Sequence, residues 1–183
     1  MPGRTTGISS RRAYRLGRFE VREVRWQRPG EKPLHFPLVR SPSFACVVPL
    51  TDDRRVVLVE NHHPVPGLHL LELPGGRMEP GETPRAAARR ELEEETGWRA
   101  RTLERLGRYH PTPHWGTYEG HFFLGERLVP GVLHPDPGES MRPRLMALRE
   151  VYRRLHRGQL PGGSTMIGLF LAEPVLRKRG WLS

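Results

Sequence analysis

The stretch LHLLELPGGRMEPGETPRAAARRELEEETG, residues 68–97, leaves the backbone few choices. The apolar run 68–74 reads as a strand, and Pro74-Gly75-Gly76 ends it with a turn. Residues 84–96 are rich in Ala, Arg, Glu and Leu, which favour a helix. Thr83 suits the N-cap, Pro84 the first helical position and Gly97 the C-terminal stop. The chain is therefore committed to a strand, a glycine turn, a loop and a helix in immediate succession.

That helix carries an electrostatic problem. RRELEEE places four glutamates in five positions within a chain of net charge +10. Glu91, Glu94 and Glu95 stand at i, i+3 and i+4, so they share one helix face. Glu93 points elsewhere and is expected only to meet solvent. Ala88 and Leu92 form a stripe towards a sheet. Three carboxylates on one face repel unless a cation lies among them, and oxygen ligands select Mg²⁺, Mn²⁺ or Ca²⁺ over softer metals. A solvated, Arg-paired face is the plainer reading of these seven residues alone.

The remaining segments predict an α/β (α+β) domain. FEVREVRW (19–26) alternates like a half-buried strand, RPGEKP turns, and LHFPLV (34–39) returns. Residues 1–12 are expected to be loose. The main domain is expected over 41–183, behind an N-terminal tail and strand appendage over 1–40. Strands are predicted at 43–50 and 55–61 and within 100–110, 118–125 and 143–148. HHPVPG and VPGVLHPDPGES (129–140) are expected to be loops, and helices are predicted at 149–157 and within 164–178. Cys46 lies in an apolar strand and reads as a core residue; a single cysteine forms no internal disulfide and fits a cytoplasmic setting. No apolar run is long enough for a membrane span. The 30 basic residues include only two lysines, Lys32 and Lys178. They are scattered rather than gathered into a stripe, which argues against nucleic acid and for small anionic partners.

From Gly76 the residues run Gly, five others, Glu82, seven others, Arg90-Glu91, Leu92, one, Glu94-Glu95, one, Gly97 and bulky Trp98. This resembles the Nudix box at each specified polar and glycine position, with Trp98 where the family prefers an aliphatic residue. The resemblance extends over about 41–183 and implies a Nudix fold, a mixed β-sheet sandwiched between helices. Physically, Gly75 and Gly76 let the backbone turn closely, and a carbonyl at Gly75 can join a metal shell. Arg90 can brace Glu82 with its planar fork. Glu91, Glu94 and Glu95 would then hold Mg²⁺, with Mn²⁺ as a possible substitute. The resemblance implies metal-assisted attack of water on phosphorus in a nucleoside diphosphate linked to another group, with Arg90, Glu94 and Glu95 in catalytic roles.

Further residues resemble those of one subgroup of that family, the ADP-ribose pyrophosphatases. Pro113 stands fifteen positions past the box, in Thr112-Pro113-His114, and Glu119 follows. HPDPGES (134–140) is similar to an acidic loop that supplies the base or a further metal ligand, with Glu139 at the equivalent place and Asp136 nearby. The N-terminal strands are similar to an appendage that pairs across a homodimer and offers an aromatic to the adenine, with Trp26 and Phe36 in that role. Glu72 precedes the glycine turn as in the subgroup. His63 stands where the subgroup often has a substrate-contacting arginine. The implied reaction is ADP-ribose to AMP and ribose 5-phosphate. FAD, NADH, coenzyme A, a diadenosine polyphosphate or a damaged nucleotide are alternative substrates, and a non-catalytic nucleotide sensor is an alternative role.

Overall fold

The computed structural model describes residues 7–134 and 141–182. The chain divides into two compact units: Met1–Ser43 with Tyr109–Glu119, and Phe44–Arg108 with Gly120–Ser183.

The first unit contains an antiparallel meander of β1 (Ile8–Leu16), β2 (Phe19–Trp26) and β3 (Leu34–Arg40). The stretch expected to be loose thus begins a strand at Ile8. Gly17, at φ 56°, makes the two-residue turn that returns β1 onto β2. Every β1 residue is exposed, so a polar edge strand held by ladder bonds leaves no hydrophobic alternation to read. Residues 109–119 join this unit through Val39, whose N–H donates to the Trp115 carbonyl (2.6 Å) and whose carbonyl accepts from Thr117 (3.1 Å).

The second unit is layered. Its four-stranded mixed sheet has the order β7 (Gly75–Arg77), β4 (Phe44–Pro49), β9 (Gly120–Pro130), β8 (Trp98–Tyr109), with β4 parallel to β9 and antiparallel to β7. A second sheet, β10 (Met141–Ala147), β5 (Arg55–His63) and β6 (Leu68–Glu72), is antiparallel. Strand alternation sorts the core into two faces. Ala45, Val47 and Phe123 pack with Ala87, Ala88 and Leu92 of α1 (Pro84–Thr96). Val48 and Leu124 pack with residues of α2 (Leu148–His156) and α3 (Gly163–Lys178), including Val151, Leu155, Leu169 and Ala172. This is the expected mixed sheet between helices. No helix among the described residues is long and apolar enough to cross a membrane.

Helix α1 begins and ends as the sequence predicts. The Thr83 hydroxyl accepts from the Ala86 N–H (3.2 Å), Pro84 opens the helix, and Gly97 closes it at φ 71°. His62 and His63, expected in a loop, instead extend β5, where their partners across the ladder are His69 and Leu68.

Gly168 shows why α3 can lie flush against the sheets. A Cβ there would stand 2.5 Å from Leu73 Cδ1 and 3.0 Å from Phe122 Cδ1. Alanine is the better helix former by about 1 kcal/mol. Gly168→Ala is nonetheless expected to lower stability, by about 1–2 kcal/mol net of that gain, because overpacking outweighs it. Urea unfolding of the two proteins measures the sign.

Candidate active site

The three box carboxylates leave α1 towards the glycine turn, and each is held differently. Glu95 is buried, at 5% exposure, and its Oε2 accepts the Gly75 N–H at 2.9 Å. Glu91 is buried against the turn. A Cβ on Gly76 would lie 2.5 Å from its Oε1, so a side chain there would have to displace that carboxylate. Glu94 is the more open, with about a third of its side chain exposed. Gly75 is constrained by backbone: a Cβ would press on the Ala45 carbonyl and sit 2.7 Å from Cys46 Cα.

Arg90 ties these groups together. Its Nε and Nη2 form a fork on Glu82, both at 3.1 Å. Nη1 lies 2.8 Å from both Glu91 Oε1 and Glu94 Oε2, and Nη2 also donates to the Arg77 carbonyl at 3.0 Å. The expected brace on Glu82 is therefore accompanied by two contacts on the helix face itself. This guanidinium is held more firmly protonated than usual, first by the Glu82 hydrogen bond. The acid knot is thus clamped by a cation that belongs to the chain.

One guanidinium does not balance the four carboxylates Glu82, Glu91, Glu94 and Glu95. The Cys46 thiol senses the excess: its pKa is pushed up, first by burial and then by the charges of Glu95, Glu91 and Glu72. Among the described residues no three His, Cys, Asp or Glu side chains stand grouped so as to hold a metal ion by themselves. The donor set still fits a hard divalent cation, being oxygen throughout, acidic in excess and adjacent to a backbone turn.

A second cluster stands at the end of β6, three residues before Gly75. His63 Nε2 lies 2.7 Å from Glu72 Oε2, and the Asn61 amide donates to the same oxygen at 3.3 Å. His63 and Glu72 are thus brought together. Asn61 escaped the sequence reading, although a strand's period of two puts it on the face of His63. Glu93 corrects its expectation: it pairs with Arg99 (3.0 Å) and accepts the Val132 N–H (3.2 Å), so it pins the segment after β9 rather than merely facing solvent.

The other expected residues lie in the first unit. Trp26, on β2, has the Arg28 guanidinium 4.7 Å from its ring centroid. Phe36, on β3, is 37% exposed and pairs across the ladder with Val24, so it shares a sheet face with Trp26. Pro113 lies in a turn whose Thr112 carbonyl accepts from Trp115 and Gly116, and the Thr112 hydroxyl is buried without a partner. Glu119 lies 3.5 Å from His110, and its N–H donates to the Ser43 hydroxyl. Glu139 and Asp136 lie outside the described residues.

Comparison with known proteins agrees with this geometry. The model of the NUDIX domain matches residues 39–164. A CMP-5'-(N-acetyl-N-hydroxy-3-aminopropyl)phosphonate hydrolase of Streptomyces rubellomurinus is 34% identical over 77% of this chain and 68% of its own length. An ADP-ribose pyrophosphatase of Bacillus subtilis is 32% identical over 55% of this chain and 54% of its own. The chain thus spans little more than half to two thirds of these relatives. A solved structure described as an ADP compounds hydrolase superposes over both whole chains with a TM-score of 0.87 at 22% identity, which establishes the shared fold.

Arg90→Gln removes a cation bonded to Glu82, Glu91 and Glu94 together and takes one ion pair from the buried Glu91. A loss of about 3 kcal/mol in unfolding free energy is expected. Saturating Mg²⁺ should recover part of it, which denaturation with and without the ion measures.

Proposed function

Because the chain belongs to the Nudix family, we propose that it hydrolyses a nucleoside diphosphate derivative at phosphorus, with ADP-ribose as substrate and AMP and ribose 5-phosphate as products. The observation that carries this reading is the carboxylate excess gathered by Arg90 beside the Gly75 turn. Glu91, Glu94, Glu95 and the Gly75 carbonyl would hold Mg²⁺, or Mn²⁺ in its place. A divalent ion bound there supplies charge neutralisation at phosphate oxygens and a more acidic water. Arg90 keeps Glu91 and Glu94 oriented, and Glu95 holds the Gly75 amide. No nucleophilic side chain is needed, since water is the attacking group. Glu139 is proposed as the base or a further ligand.

The His63–Glu72–Asn61 cluster is proposed to meet the sugar-phosphate end of the substrate, where His63 offers a cationic donor when protonated. Pro113 and Glu119 are proposed to border the substrate, and Trp26 and Phe36 to stack on the base. The face they share also carries Ile8 and Leu34, which are 67% and 50% exposed. We propose that this face pairs two copies into a homodimer. Light scattering should give twice the chain mass for the wild type and a single mass for Leu34→Asp.

A second reading rests on the match to the CMP-phosphonate hydrolase, which covers more of this chain than the ADP-ribose enzyme does. On that reading the substrate is a nucleoside monophosphate joined to a phosphonate, with the same metal-assisted chemistry. A panel of ADP-ribose, FAD, NADH, coenzyme A, diadenosine polyphosphate and a cytidylyl phosphonate, compared by kcat/KM with Mg²⁺, separates them. ADP-ribose is expected to rank first with AMP released, and no AMP under saturating metal would overturn it. Glu94→Gln and Glu95→Gln are each expected to lower kcat by about a hundredfold or more. A near wild-type rate in either would remove that residue from the mechanism.

A further inference from the structure

The buried Glu and Thr side chains among the described residues are Glu91, Glu95, Thr96 and Thr165. The first three belong to the box helix. The fourth lies in the first turn of α3, far along the chain, and the Nudix box gives no reason for it.

Thr165 is 2% exposed, and its hydroxyl accepts the Leu73 N–H at 3.0 Å. Leu73 opens the link from β6 to β7, and the next two residues are gripped as firmly. The Pro74 carbonyl accepts from Val47 N–H on β4 at 2.9 Å, and the Gly75 N–H donates to Glu95 on α1 at 2.9 Å. Three consecutive residues are thus tied to three different elements. Two of those ties come from β4 and the box helix. The third is the Thr165 hydroxyl.

The first turns of α3 are shaped for this contact. Gly168, one turn further on, has no side chain where a Cβ would meet Leu73. At Gly162 a Cβ would come within 3.3 Å of Glu72 Oε1 and 3.4 Å of Thr165 Oγ1. The helix start therefore backs Glu72 and Leu73 together. A mid-helix glycine costs about 1 kcal/mol relative to alanine, and here it lets the helix reach the turn.

We propose that Thr165 is a positioning residue for the metal-binding turn: it fixes Leu73 so that Gly75 is presented to the box carboxylates. The proposal rests on the metal reading above and adds to it a residue about ninety positions away. It touches neither metal nor substrate. A group bonded directly to a ligand commonly changes metal affinity by about ten- to a hundredfold when lost; Thr165 is bonded two residues before Gly75, so the lower end of that range is expected.

The test uses the full chain without substrate. Mn²⁺ affinity is measured by electron paramagnetic resonance for wild type, Thr165→Val, Thr165→Ser and Glu95→Gln, alongside thermal unfolding. Thr165→Val removes the acceptor and leaves the Leu73 N–H buried and unpaired, so it is expected to lower Tm and to weaken Mn²⁺ binding about tenfold. Thr165→Ser restores the acceptor and should bind as wild type. A folded Thr165→Val that binds Mn²⁺ as wild type does overturns the proposal and leaves Thr165 a purely structural residue.

Should Thr165→Val fail to fold, amide exchange in the wild type decides. Mg²⁺ is expected to slow exchange at the Leu73 amide more than at the amides of α2, and equal slowing overturns the proposal. A wild type that takes up no Mn²⁺, or a Glu95→Gln variant that binds it unchanged, overturns the metal reading itself. That result differs from loss of the Thr165 effect alone.

Discussion

The guanidinium of Arg90 is the interaction on which the candidate site depends. It reaches Glu82, Glu91 and Glu94 at once, at 2.8–3.1 Å, and Glu91 is buried. A lysine could offer a charge but not a planar fork with donors in two directions. The arginine meets Glu82 with one edge and the helix carboxylates with the other. It therefore settles both the loop before α1 and the helix face. Because one positive charge cannot balance four carboxylates, the clamp stabilises the acid cluster without saturating it.

The glycines explain how this cluster comes so near the sheet. At Gly76 a side chain would occupy the space of the Glu91 carboxylate, and at Gly75 it would strike strand β4. Their role here is close approach, which any side chain would block whatever its backbone preference. Glu95 then converts that closeness into a bond with the Gly75 amide. The strand, the turn and the helix thus form one rigid corner, and rigidity of that kind is what a site needs to hold oxygen ligands at set distances.

Much of this is legible in the sequence. Helix α1 announced its cap, its first proline and its terminal glycine, because those signals are local. The Arg90 brace on Glu82 followed from the resemblance to the box together with the planar fork of a guanidinium. What escaped the sequence depended on distant partners. β1 is polar and exposed on both faces, so its strand character lives in ladder bonds to β2. Glu93 looked solvated because Val132 and Arg99, which occupy it, lie beyond the helix. Asn61 gains meaning only when β6 brings Glu72 beside it. Thr165 pairs with a residue in another layer, and no local pattern marks such a hydrogen bond.

The division of labour between helices follows from this. Helix α1 brings its carboxylates to one side of the turn, where they are tied by charge. Helix α3 brings a hydroxyl and a glycine to Leu73, where contact is by a neutral hydrogen bond and close packing. A charged partner at Leu73 would have to be desolvated in the apolar core around Leu169 and Ala172, at a cost of several kcal/mol. A hydroxyl satisfies the amide without that penalty. The acidic side of the turn thus stays polar enough to accept a cation, while the opposite side stays apolar enough to keep the layers packed. That contrast across three residues, Leu73 to Gly75, is what lets a strongly basic chain keep an acidic cluster beside an apolar core.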